Sequence, residues 1–484
     1  MTSRSVSMPV ITGKQYIDRI DGMGIEVWID GHQITGKISE HPAFCGVMKS
    51  QAALYDLQHD ASKKDMLTYT SPTSGEPVGI SFLQPRTKED LMKKRMMVRE
   101  WASTNYGLMG RSPDYMNTAV TAFATSAGFL EGKLDCFPEN LRNYYTYIRE
   151  HDCSLTHTFI DPQVNRSSSY MEDMDEPIGA RVVEENEEGI IIKGARLLAT
   201  QGGMTEELFV LSSGHVLEEG KGYSFAIPTN TKGLRFICRE SFASNGSAFD
   251  FPLSSRFEEM DTVVVFDNVL VPWERVFFYD NQLVASEFMV RSSFQPYGIH
   301  QVITRQIVKT EFILGIAQAI VQTIQIGEYQ HVQEKVTEII VGLETLKALL
   351  ERSEQEARIN EWGFMEPDRA TLHVAITIFP KIYPRFTEII QLLGASGMMS
   401  IPKEADFQSP IKKDLQQYLQ ARGAEAEERV KLFRLAWDLT MSPFGTRQTH
   451  YERFFFGDPI KVGGLLYLLY DKQKYVENIN DLIK

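Results

Sequence analysis

Four short segments carry residue types able to do chemistry on a ligand. The richest covers 154–166. His157 stands between Thr156 and Thr158, the chain turns at Asp161-Pro162, and Gln163, Val164, Asn165 and Arg166 follow. Hydroxyls, an imidazole, amides and a guanidinium so close together suit a ring-shaped, hydrogen-bonding ligand that carries phosphates. The second segment is Met109-Gly-Arg-Ser-Pro-Asp-Tyr-Met116. Ser112 or Asp114 can cap the helix that follows, with Pro113 in its first turn. Arg111 and Tyr115 stand four apart and share a face if that helix reaches back far enough. The third, Leu197-Leu-Ala-Thr-Gln-Gly-Gly203, ends a strand at Thr200 and adds two glycines that permit close backbone approach. The fourth, Ser212-Ser-Gly-His215, offers the hydroxyls of Ser212 and Ser213 and nearby amides to an anion. Each segment also has a plainer reading. Thr and Asn favour turns for local reasons, Gly-Gly is a common turn element, and exposed Arg is ordinary. Residue types alone leave both readings open.

The elements that must position these segments fall into three zones. The first, 1–150, has a short strand over 25–29 and then turns helical over 88–106, 114–130 and 139–150. The second, 151–280, changes period. Residues 180–184 and 190–199 read as a hairpin around Asn186-Glu-Glu-Gly189. Further strands are expected over 207–211, 223–227, 234–239 and 262–266, at a spacing that predicts a compact β-barrel or sandwich. The third zone, 281–484, is helical in longer strides. Helices are expected over 302–326, along the stripe Val336, Ile339, Leu343, Leu346 and Leu350, and over 425–439. A segment at 371–393 contains Pro380 and Pro384, which should kink or interrupt it. The fold class expected is multidomain α+β, in the order helical, β, helical bundle.

Composition bounds the alternatives. The 484 residues suggest about three domains. A net charge of −14 disfavours a generic nucleic-acid or anionic-membrane surface. The N-terminal MTSRSVSMPV lacks an apolar core, so no secretory signal is expected, and no run suggests a spanning helix. The four cysteines, at 45, 136, 153 and 238, form no close pair. They read as reduced thiols of a cytoplasmic protein with no metal site. There is no GxGxxG after a strand, no GxxxxGK[ST], no HExxH and no GxSxG, which disfavours the common nicotinamide enzymes and nucleotide hydrolases.

Several motifs in fixed order carry a resemblance. They are His41-Pro-Ala-Phe44, Gly110-Arg-Ser-Pro-Asp-Tyr115, Thr156-His-Thr158 through Pro162 to Arg166, and Ala199-Thr-Gln201. Pro252-Leu-Ser-Ser-Arg256, Asp267-Asn-Val-Leu-Val-Pro-Trp-Glu274, Phe444-Gly-Thr-Arg447 and Tyr451-Glu452 continue it. Together they resemble the oxygenase component of two-component 4-hydroxyphenylacetate 3-monooxygenases, over nearly the whole chain. The resemblance implies an acyl-CoA dehydrogenase-like fold: an N-terminal helical domain, a middle β-barrel that serves flavin and substrate, and a C-terminal four-helix bundle that forms a homotetramer. It also implies FAD, delivered as FADH2 by a separate NAD(P)H:flavin reductase. In such enzymes a C4a-hydroperoxyflavin formed with O2 hydroxylates a phenol ortho to its hydroxyl.

Carried over by motif, the resemblance places Arg111, Tyr115 and His157 around the phenolic oxygen. His157 would be base or hydrogen-bond acceptor, Arg111 electrostatic stabiliser and Tyr115 the orienting group. FAD would lie against His157, Thr158, Gln163, Val164, Asn165, Arg166 and Thr200, with Gly457 and Asp458 from the C-terminal segment. Ser212 and Ser213 would receive the carboxylate of the substrate. The chain departs from the pattern at Asp161, where Asn is more usual, at Asn165, where Asp is common, and in a slightly long stretch over 132–138. Two rivals share the fold or core: a lyase resembling 4-hydroxybutyryl-CoA dehydratase, and an oxygenase for another phenol or chlorophenol. The lyase needs a [4Fe–4S] cluster, and four scattered cysteines argue against one.

Overall fold

The computed structural model describes residues 9–162, 177–212, 220–244 and 247–484. The chain divides into two compact units. One comprises Met1–Lys309 and Ile359–Met365, the other Thr310–Arg358 and Glu366–Lys484.

In the first unit, the strands expected of the β zone form within a few residues of their predicted edges. Arg181–Glu185 pairs antiparallel with Gly189–Thr200 around the Asn186 turn, where Asn186 Oδ1 accepts the N–H groups of Glu188 and Gly189. Glu207–Leu211 forms as expected, and Asp261–Pro272 runs longer than the 262–266 predicted. Of the barrel or sandwich expected, the sandwich alternative holds: among the described residues the strands of this zone lie in two sheets that form no closed ring. A six-stranded sheet has the order His32–Gln33, Val27–Ile29, Leu234–Cys238, Asp261–Pro272, Gly189–Thr200, Arg181–Glu185. A four-stranded sheet has the order Val276–Phe278, Ser224–Pro228, Glu207–Leu211, Leu155–Thr158. The sheets meet through side chains. Thr156 and Thr158 donate their hydroxyls to the carbonyls of Thr200 and Leu197, both at 2.7 Å, and Phe225 meets Phe266 edge-on. Sequence spacing signals strands and turns but not closure, which depends on long-range pairing such as the parallel join of Val27 to Phe236.

The helix Pro113–Thr125 is buried at all thirteen positions. Phe123 explains its seat. Its ring stacks on Phe209 at 5.4 Å, Phe288 at 5.3 Å and Phe294 at 5.0 Å, fastening the helix to the small sheet. Aromatic stacks of this kind add to the area they bury. The turn before the helix needs Gly107. Its φ is +69°, Arg305 Nη1 donates to its carbonyl at 2.8 Å, and an added Cβ would stand 2.6 Å from the Arg305 carbonyl oxygen. Gly107→Ala is therefore expected to cost about 2–4 kcal/mol, from left-handed strain plus overpacking. A thermal melt checks this; an unchanged midpoint would contradict it.

The second unit is helical. Its central helix, Arg369–Gly394, packs against Gln330–Gln355, Ala426–Thr440, Pro443–Phe454 and Pro459–Leu469. The predicted stripe on Gln330–Gln355 is buried, and Gly342 lets that helix approach Phe386. The expected interruption at Pro380 and Pro384 does not occur, because one helix runs through both. The prolines stand four apart, so the lost N–H bonds fall on one side. Burial of Leu372, Ile376, Phe379, Tyr383, Phe386 and Ile390 offsets them. The helix Phe294–Ile324, whose residues up to Lys309 belong to the first unit, begins earlier than predicted. It is long and apolar enough to cross a membrane by length and composition, yet 56% of its most apolar window is buried in the protein. Buried core helices have the same composition.

Candidate active site

The first unit brings Arg111, Tyr115 and His157 together. The helix begins at Pro113, so Arg111 lies in the turn before it and not on its face. The guanidinium nonetheless reaches forward over the Tyr115 ring, 4.1 Å from its centroid. Tyr115 is in the first turn of a buried helix and 3% exposed. Its ring lies 5.6 Å from that of His157. His157 comes from the strand Leu155–Thr158, paired parallel with Glu207–Leu211 so that His157 stands opposite Phe209. The Phe159 ring lies 4.3 Å from the imidazole.

Ser112 holds the N-cap position but does not cap in the expected way. Its hydroxyl donates to Asp114 at 2.6 Å, and Gln301 donates to the other carboxylate oxygen at 2.8 Å. Asp114 is thus an anchor for the helix start, and burial raises its pKa.

The electrostatics of the cluster are set by burial beside a cation. Burial, and then the Arg111 charge, hold the His157 imidazolium pKa well below the ordinary value. His157 is therefore neutral near pH 7. Its Nδ1 is buried and has no hydrogen-bond partner among the described residues. Such an atom is costly unless a ligand or water meets it. Burial also raises the Tyr115 phenol pKa, with Arg111 opposing. The cluster therefore sets a cation, a protonated tyrosine and a neutral imidazole side by side. That set can bind a phenol and favour its ionisation.

The other predicted residues separate into three groups. Thr158 and Thr200 lie beside the cluster on adjoining strands, and their protons are committed. Thr158 donates to the Leu197 carbonyl, and Thr200 donates to Asp261 at 2.8 Å. Their oxygens remain as acceptors. Gly202 and Gly203 serve the plain turn reading. Added Cβ atoms would meet Thr262 Oγ1 at 2.2 Å and Val27 Cγ2 at 2.8 Å. Gln163, Val164, Asn165, Arg166 and Ser213 lie outside the described residues. Gly457 and Asp458 belong to the second unit, where Asp458 Oδ1 accepts the Ile460 N–H at the start of Pro459–Leu469.

Ser212 is buried and donates its N–H to the Tyr223 carbonyl. Sequence reasoning missed the group beside it. Arg196 is buried, donates to the Leu211 carbonyl at 2.8 Å, reaches Ser212 Oγ at 3.5 Å and pairs with Asp161. Asp161, a departure from the family pattern, thus finds a cation. The signal available was an arginine inside an apolar strand. The strand also carries a bulge between Arg196 and Ala199, which leaves Leu198 at φ +61°. The four cysteines are free thiols on separate elements. Among the described residues no group of three or more His, Cys, Asp or Glu side chains is gathered to hold a metal.

Known proteins are similar to this chain over nearly its whole length. The family model for the 4-hydroxyphenylacetate 3-hydroxylase N terminal matches residues 12–278, and that for the C terminal matches 285–484. A Bacillus subtilis (strain 168) protein named as a probable 4-hydroxyphenylacetate 3-monooxygenase is 55% identical, covering 98% of this chain and 99% of its own. A 4-hydroxyphenylacetate 3-monooxygenase oxygenase component from Geobacillus sp. (strain PA-9) is 46% identical, with 99% and 97% covered. A crystal structure of such an oxygenase component, complexed with FAD and 4-hydroxyphenylacetate, superposes with a TM-score of 0.92. It is 43% identical, and 98% of each chain is covered. The chain belongs to the 4-hydroxyphenylacetate 3-hydroxylase family.

Proposed function

We propose that the chain is the oxygenase component of a two-component monooxygenase, which hydroxylates 4-hydroxyphenylacetate or a similar phenol ortho to its hydroxyl. The observation that carries this is the row formed by the Arg111 guanidinium over the Tyr115 ring and the Tyr115 ring beside buried, neutral His157. The His157 Nδ1 there has no hydrogen-bond partner among the described residues. A phenolic O–H satisfies that atom, and the guanidinium stabilises the oxyanion as it forms. Phenolate character matters because an electron-rich ring is attacked faster by electrophilic oxygen. Tyr115, held by its helix, fixes the plane in which the phenol sits.

The residues present fit a reduced flavin. Its ring carries N–H donors, and the oxygens of Thr158 and Thr200 are acceptors whose own protons are already committed. When bound, reduced FAD activates O2 and supplies the oxygen atom. The surrounding chain keeps water away: His157, Thr158 and Thr200 are all buried. Relatives named as oxygenase components support a separate NAD(P)H:flavin reductase as the source of electrons. Ser212, beside buried Arg196, suits an anionic arm on the phenol.

Our reading of the division of labour is 1–150 for helical support, 151–280 for flavin and substrate, and 281–484 for assembly. A cytoplasmic homotetramer fits the apolar residues exposed near the C-terminus, among them Ile460, Leu468, Leu482 and Ile483. The test supplies the purified chain with FAD, NADH, an unrelated flavin reductase, O2 and 4-hydroxyphenylacetate. The expected result is 3,4-dihydroxyphenylacetate, lost when reductase or O2 is withheld. No product from 4-hydroxyphenylacetate, phenol or 4-chlorophenol would overturn the reading.

A further inference from the structure

Glu259 lies outside every motif that suggested function, yet it is the most fully used carboxylate near the cluster. Its side chain is 0% exposed. Oε2 accepts the Gly110 N–H at 2.8 Å. Oε1 accepts the Arg111 N–H at 2.8 Å and Gln201 Nε2 at 2.9 Å. Two successive main-chain N–H groups are thus held by the two oxygens of one buried carboxylate. Charge-assisted bonds of this kind are short and strong, and their geometry is narrow.

The anchor is itself anchored. Gln201, at φ +66°, donates its own N–H to the Met260 carbonyl at 2.7 Å. Arg239 donates to the Glu259 carbonyl at 2.8 Å, and pairs with Glu258 at 2.5 Å and with Asp261 at 3.0 Å. Arg239 therefore answers the two flanking acids and leaves the Glu259 carboxylate to the Gly110–Arg111 turn. Two residues on, Asp261 accepts the Thr200 hydroxyl. One short acidic stretch, 258–261, holds the main chain under Arg111 and a threonine of the proposed flavin side.

We infer that Glu259 is a positioning residue for Arg111, setting where the guanidinium meets the phenolic oxygen. This rests on the phenol-binding role of Arg111 proposed above. Arg111 precedes the helix and so has no helical bonds to fix its backbone. A rotation at the turn moves the charge at the end of a long side chain by more than the backbone itself moves. Misplacement of about 1 Å can cost up to about 100-fold in rate. Glu259→Gln keeps the size but turns one end into a donor. That end must face a main-chain N–H or the Gln201 amide, so at least one bond is lost.

The experiment is a double-mutant cycle on the chain loaded with oxidised FAD. The dissociation constant of 4-hydroxyphenylacetate is measured by calorimetry for wild type, Glu259→Gln, Arg111→Ala and the pair. The pH dependence of binding gives the apparent pKa of the bound phenol. The expected result is about tenfold weaker phenol binding in Glu259→Gln, a raised phenol pKa and no added loss in the Arg111→Ala background, because residues acting through one another are non-additive. FAD affinity should change less than twofold. Equal losses in both backgrounds, or a lower melting point with the phenol pKa unmoved, would overturn the assignment. Glu259→Asp, which keeps the charge but withdraws it by one methylene, supplies the same readout should Glu259→Gln fail to fold. If Arg111→Ala alone leaves phenol binding intact, the phenol-site reading fails, and the inference with it.

Discussion

Arg111→Ala is expected to lower phenol hydroxylation by about 100- to 1000-fold, while oxidation of reduced FAD continues and its oxygen is released as H2O2. The guanidinium sits 4.1 Å from the Tyr115 ring centroid, and the Tyr115 ring lies 5.6 Å from that of His157. At about 4 Å and an effective dielectric of about 20, a cation and an oxyanion attract by about 4 kcal/mol before desolvation is counted. A loss of about 3–4 kcal/mol of transition-state stabilisation corresponds to the factor given. Reduced flavin reacts with O2 without needing the phenol, so electrons are still consumed. Arg111→Lys keeps the charge but loses the planar stack, and should fall between wild type and alanine. The measurement is the ratio of catechol to H2O2 at constant flavin turnover. An unchanged ratio in Arg111→Ala would remove Arg111 from the chemistry.

His157→Ala is expected to cost about 100- to 10 000-fold in product formation, the span of a positioned acid–base group. The imidazole is neutral because it is buried and faces Arg111, so it can accept the phenolic proton near pH 7. The same depression links to stability. An unfolded histidine takes up a proton as the pH falls through about 6.5. The folded His157 does not, so the unfolded state binds more protons below that pH. The stability that His157 contributes at neutral pH is therefore lost progressively from about pH 6.5 downward. His157→Asn lacks this group, so its melting point should fall less steeply than wild type between pH 7 and pH 5.5. Parallel slopes would show that His157 is not held neutral by the fold. Comparing the two proteins also cancels buried acids that titrate nearby in the opposite sense, such as Glu207, raised to about 7, and Asp152, raised to about 6.

Much of this arrangement is legible in the residues, and what is not has physical causes. The hairpin around Asn186 and the strand Glu207–Leu211 are visible because β-branched runs and turn residues are local signals. The stripe from Val336 to Leu350 is visible because burial has a helical period. Sheet partnership is not local. Val27–Ile29 belongs by sequence to the helical zone, yet it joins the large sheet through Phe236. The helix through Pro380 and Pro384 runs against local propensity because tertiary burial outweighs two lost bonds.

At the site, motif matching finds Arg111, Tyr115 and His157, which carry recognisable chemistry. Glu259 is invisible to that method. In the run Glu258-Glu-Met-Asp261 it reads as a solvated acidic face, and only the fold shows it buried beneath the Arg111 turn. Arg196 is missed for the same reason, since its partners Asp161 and Ser212 come from distant parts of the chain. Thr158 and Thr200 show the converse. Their presence near the site is legible, but not the commitment of their protons to Leu197 and Asp261.

The central claim is that this chain places an oxygen atom from O2 on a phenol ring held by Arg111, Tyr115 and His157. The most direct test runs the reaction under 18O2, with reduced FAD and 4-hydroxyphenylacetate, and reads the product by mass spectrometry. The account predicts one 18O atom in the new hydroxyl ortho to the original one, with the label lost in favour of labelled H2O2 in Arg111→Ala and His157→Ala. A product oxygen drawn from water, or full labelling undiminished in both variants, would contradict it.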